Sequence, residues 1–142
     1  MEKLRLSLII LLIVLGMILA ACSGNASASA SLTGTWELVS FGDPASLTPA
    51  AEDVETSIKF GEDGKMEGSV GCNGFGGDYK VDGNTITFGP IVSTLMLCEG
   101  AVGNQETTTF NVFAESATFN LEGDTLTITS ADGGSAIMLA RK

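Results

Sequence analysis

The chain has no histidine anywhere in its 142 residues. That absence removes Ser-His-Asp and Cys-His nucleophilic systems, His-ligated zinc and the commonest general base. Basic residues are scarce as well, with 7 Lys and Arg against 17 Asp and Glu. So acidic a surface repels nucleic acid and excludes binding through phosphates. It is read as a solubilising surface, with a basic partner as the alternative. Paired carboxylates remain as the one acid–base device, but the acids fall on turns and outward strand positions, and none sits within an apolar run. Catalysis is not expected. Tryptophan occurs once, at Trp36, where it is read as a core anchor.

Long apolar runs are missing except at the start. Lys3 and Arg5 precede an uncharged stretch from Leu6 to Leu19, shorter than the ~20 residues that cross a bilayer. A basic beginning, an apolar centre and small residues before a cut make residues 1–21 a signal peptide. Leu19-Ala20-Ala21-Cys22 resembles the bacterial lipobox, which makes Cys22 the expected site of lipidation and the membrane one expected partner. Residues 22–31 are a Ser/Ala-rich tether too small and polar to pack. Removing residues 1–21 takes away one of the 17 acids (Glu2) and two of the 7 bases (Lys3, Arg5). The expected location is the cell envelope: the outer membrane in a double-membraned bacterium, otherwise the outer face of the cytoplasmic membrane.

From residue 32 onward the pattern has period two. Eight segments alternate apolar with polar: 34–41, 55–61, 65–71, 77–83, 84–91, 117–123, 124–130 and 135–142. Each reads as a strand with one apolar face. Asp63-Gly64, Asp82-Gly83, Gly123-Asp124 and Asp132-Gly133 are hairpin dipeptides, since aspartate and glycine tolerate the positive φ of tight turns. One segment breaks the rhythm: Val102, Phe110, Phe113 and Ala114 recur at helical spacing. It predicts a short helix over one opening or face of a barrel, weakened by the run Thr107-Thr108-Thr109. The fold class is therefore mainly β (α+β): a small antiparallel β-barrel-like domain of about eight strands and one short helix, residues 32–142.

"GCNGFGG" (71–77) looks at first like a phosphate-cradling loop. Such a loop must lead into a helix N-terminus, and this one leads into an alternating strand. Glycines in that setting mark a bulge or a close backbone approach. The spacing of Cys72 and Cys98 is not that of a redox pair. Two cysteines in an exported domain read as a disulfide, with buried thiols as the alternative and a metal or reactive thiol after that. No cofactor or metal site is expected, and the turns lack EF-hand spacing.

"GTWELVSF", then "GSVGCNGFGGDYKVDGNTITFGPIVSTLMLC", and later "LEGDTLTIT" closely resemble the META domain, or HslJ-like, family. The most specific parts are Gly71-Cys72-Asn73 with Phe75 and Gly77, and Thr94-x-Met96-x-Cys98. The resemblance implies a small antiparallel barrel with one helix, in a lipoprotein tied to envelope stress and without an established activity or ligand. Two departures from the family pattern stand out: Leu95 stands where a basic residue is frequent, and Thr107 to Thr109 replace stronger helix formers. On the residues alone, Asn73 is expected to bond nearby backbone, and Phe75, Thr94 and Met96 to serve packing and turns. Two functions follow as expectations: a non-enzymatic, stress-related binding module with an envelope protein as partner, or a carrier of a small apolar ligand inside the barrel.

Overall fold

The computed structural model describes residues 31–142. The expected signal peptide, Cys22 and the expected tether up to residue 30 lie outside the described residues. Ten strands follow in order: β1 (Gly34–Asp43), β2 (Ser46–Pro49), β3 (Thr56–Phe60), β4 (Lys65–Val70), β5 (Gly74–Asp82), β6 (Thr85–Phe88), β7 (Val92–Ser93), β8 (Ser116–Glu122), β9 (Thr125–Ser130) and β10 (Ala136–Arg141). A helix, α1 (Gly100–Val112), stands between β7 and β8.

Eight strands close into an antiparallel barrel in the order β1-β3-β4-β5-β6-β8-β9-β10, and β10 returns to pair with β1. These are the eight segments expected from the alternation. The two further strands are short. β2 folds back on the end of β1, and β7 pairs with the start of β5, continuing the line of β6 after Gly89-Pro90-Ile91. Neither has enough alternating residues to announce itself in the sequence. The four expected turns all join neighbouring strands, and Gly64, Gly83, Gly123 and Gly133 have φ of 75°, 59°, 59° and 71°, the left-handed region these turns need.

The inward positions fill the lumen. Trp36, Ile58, Phe60, Val70, Ile86, Leu126, Ile128, Ile137 and Leu139 are all fully buried in one continuous cluster. At the end where the chain enters, Trp36 donates its indole N–H to the Leu32 carbonyl at 2.9 Å. The Arg141 guanidinium lies 4.2 Å from the Trp36 ring centroid, a cation–π contact that covers the ring. Phe60 and Tyr79 meet edge to face at 5.0 Å, and the Tyr79 hydroxyl donates to the Gly61 carbonyl.

The helix lies across the opposite end, against β1, β4, β9 and β10. Its buried face differs from the expected one. Val102 and Phe110 are half-buried and Ala114 is exposed beyond the helix, whereas Gln105, Thr109 and Val112 point inward. The reason is local: strand ends and connecting loops present backbone groups that need polar partners. Nor does the threonine run shorten the helix, which spans 13 residues. Thr109 donates its hydroxyl to the Gln105 carbonyl one turn back at 2.7 Å, so its polar group is satisfied within the helix. Phe113, just past the helix, is fully buried between Phe75 and Phe88.

The lumen's contribution to stability is testable at Ile128, which is fully buried. Ile128→Ala should lower unfolding free energy by about 2–5 kcal/mol, read from denaturant midpoints. Thr118→Ala, on the exposed face of the neighbouring strand, should leave the midpoint within error.

Candidate functional site

At the end of β4 the chain turns through Gly71, whose φ is 98°. A Cβ there would lie 2.9 Å from Val54 Cγ2 and 3.2 Å from Gln105 Nε2. Conformation and space both require glycine. Cys72 and Asn73 follow, and β5 begins one residue later.

Asn73 is 3% exposed, and its carboxamide is fully used. Its Oδ1 accepts from the Thr94 hydroxyl and the Met96 backbone N–H, each at 2.8 Å. Its Nδ2 donates to the Met96 carbonyl at 3.0 Å and to Glu106 Oε1 at 2.8 Å. The Asn73 backbone N–H donates to the other Glu106 oxygen at 2.7 Å. Two acceptor and two donor positions are what an amide possesses. Asn73 thus does bond backbone, but that backbone lies 23 residues away, and a helix carboxylate 33 residues away shares the task.

Cys72 and Cys98 form a disulfide with Cα atoms 6.2 Å apart. The chain from 94 to 98 is therefore held at alternate residues. Thr94 donates its N–H to the Gly74 carbonyl at 3.0 Å and its hydroxyl to Asn73, Met96 is held by Asn73, and Cys98 by the disulfide. The residues between point outward: Leu95 is 95% exposed and Leu97 88%. The Met96 side chain is exposed between them, while Val92 is exposed on β7, opposite Gly76 of β5.

The helix is stitched to the same corner. Gln105, fully buried, donates to the Val70 carbonyl and accepts from the Ala51 N–H at 2.8 Å. Of the residues singled out in the sequence, Gly71, Cys72, Asn73, Thr94, Met96 and Cys98 come together here. Phe75 lies beneath them in the core, with ring centroids 5.5 Å from Phe110 and 5.8 Å from Phe113. Gly77 stands apart, opposite Met66 on β4, where a Cβ would come within 2.9 Å of Ile91 Cδ1. Sequence reasoning missed Gln105 and Glu106. Their one signal was a helix whose apolar spacing was weak and which carried Gln105 and Thr109 four residues apart, on one face.

This arrangement holds geometry. Every acid among the described residues is exposed except Glu106, and both its oxygens are occupied by Asn73. Among the described residues no group of three His, Cys, Asp or Glu is placed to hold a metal ion. The groups with biased protonation lie elsewhere. The Asp78 hydrogen bond raises the Lys65 pKa on the surface, burial raises that of Tyr79, and the Ser130 hydroxyl with the Gly134 amide lowers that of Asp132.

A family model for the META domain matches residues 30–142, the glycine corner and the Thr94–Cys98 segment included. The chain belongs to the META domain family. No curated protein matches at a significant level. Among solved structures, this META domain is similar to a protein from Burkholderia xenovorans determined by NMR, with 18% identity and a TM-score of 0.65 over 83% of this chain and 88% of that one. A second NMR structure matches with 21% identity and a TM-score of 0.59, over 76% and 88%. A DUF4847 family protein from Bacteroides vulgatus matches with 18% identity and a TM-score of 0.54, over 78% and 93%. At these identities the likeness is one of fold.

Two variants test the corner. Asn73→Ala leaves the Met96 backbone, the Thr94 hydroxyl and one Glu106 oxygen without their partner, and should cost about 3 kcal/mol of stability by denaturant titration. Replacing both cysteines by serine should cost roughly 3.5 kcal/mol in the chain-entropy account of a loop this long. Adding reductant to the wild type should reproduce that loss, and a midpoint indifferent to reductant would show that the bond contributes nothing.

Proposed function

We propose that this META domain is a non-catalytic binding module of the cell envelope, held at a membrane by lipid on Cys22 and acting through its outer surface. The observation that carries this reading is the pairing of a filled lumen with an apolar tip held in water. A carrier needs an unfilled apolar cavity. Here the large inward side chains meet one another across the barrel, and the apolar residues without contacts lie outside it. Exposed apolar patches of this kind mark interaction sites. The family resemblance implies a stress-related role for such a module.

Native mass spectrometry of the full chain, extracted from its cells in mild detergent, tests both halves. The expected mass is that of residues 22–142 plus acyl groups, unchanged by denaturation. A retained apolar molecule that leaves on denaturation would overturn the surface reading in favour of a carrier. A mass without acyl groups would overturn the anchor.

A further inference from the structure

We propose that the tip formed by Leu95, Met96 and Leu97 inserts into an apolar cleft, rimmed by basic residues, on a partner protein. The inference rests on the surface-acting reading above and adds the mode of binding and the chemistry of the partner.

The tip is prepared for contact. Thr94, Met96 and Cys98 are tied down by Asn73, by the Gly74 carbonyl and by Cys72, so the backbone between them has little left to lose on binding. Preorganisation of this kind removes part of the cost of association. Leu95 and Leu97, between those ties, contribute nothing to the core, and a fold has no use of its own for two leucines 95% and 88% exposed.

Shape and charge narrow the occupant. Three side chains of this size offer on the order of 300 Å², under half of the roughly 800 Å² that each side of a stable interface buries. Two identical convex tips meeting head-on fall short, so the partner must be concave and close around the tip. The distribution of charge points the same way. All five basic residues of the described chain, Lys59, Lys65, Lys80, Arg141 and Lys142, come from the half of the barrel away from the helix. Around the helix end stand Glu52, Asp53, Glu99, Glu106, Glu115 and Asp132. A second copy meeting the tip head-on would bring like charges together, and anionic lipid headgroups would be repelled. A basic rim is attracted and oriented. The chain also enters the barrel at Leu32, beside Trp36 and Arg141, at the end opposite the tip. A tether from Cys22 therefore leaves the tip pointing away from its own membrane.

The test places a photo-activated diazirine amino acid at Leu97 of the full chain in its own cells, and in a second strain at Thr118, exposed on β8. Position 97 should crosslink to one protein. That protein, purified and titrated with the detergent-solubilised full chain, should bind at least about 30-fold more weakly when Leu95→Ser and Leu97→Ser are combined. Its binding should also weaken at high salt. The thermal midpoint of the double variant should match the wild type, because neither leucine packs on the fold. A crosslink to a second copy, a crosslink to lipid alone, or a partner indifferent to the double substitution would overturn the proposal. Crosslinks from Thr118 in place of Leu97 would overturn the tip and leave the surface-acting reading standing. No crosslink from Leu97 would overturn the tip as well, and a ligand retained in the barrel would overturn both.

Discussion

Three stretches of chain that are far apart in sequence meet at the carboxamide of Asn73. The corner after β4, the segment from Thr94 to Cys98 and the helix are joined there by its hydrogen bonds. Inside a protein such bonds strengthen when every member is satisfied, and an unpaired member is costly. The glycine before it, the disulfide beside it and Gln105 behind it all serve to keep these three stretches at one place. Without that junction the helix would have only a few half-buried apolar residues and Val112 to hold it on the barrel.

The barrel itself was legible because its rules are local. A strand with one wet face alternates, and its hairpins carry Asp-Gly turns, so all eight barrel strands could be marked from residues a few positions apart. The corner was legible in part. Gly71, Cys72 and Asn73 announced an irregular backbone, and two cysteines in a domain read as exported suggested a bond. What the alternation could not reveal was the partner of Asn73, since Glu106 looks in sequence like any other solvated acid on a helix. Nor could it tell that Met96 would serve through its backbone while its side chain stays out. Such roles arise from contacts between distant segments, which carry no periodic signature.

The helix shows how a local rule can give the right element and the wrong face. Val102, Phe110, Phe113 and Ala114 have helical spacing, and a helix forms. Its inward positions are set by what it covers, however, and it covers strand ends with backbone groups in need of partners. Gln105 meets that demand at Val70 and Ala51, where valine would leave polar groups stranded, and Thr109 satisfies its own hydroxyl on the helix backbone. The same exchange of apolar for polar contacts explains why Phe113 is buried only after the helix has ended.

The closure of β10 on β1 has a consequence for the order of folding. Every other pairing around the barrel joins strands close along the chain, with nothing between them but β2 in one case and β7 with α1 in another. The last pairing sets Trp36 against Arg141, nearly the whole domain apart. Contacts of such long separation form late, after loop-closure entropy has been met by nearer ones. As the chain emerges, β1 therefore waits with one edge open until β10 arrives. Trp36 stays uncovered for the same interval, because the arginine that lies over its ring belongs to β10.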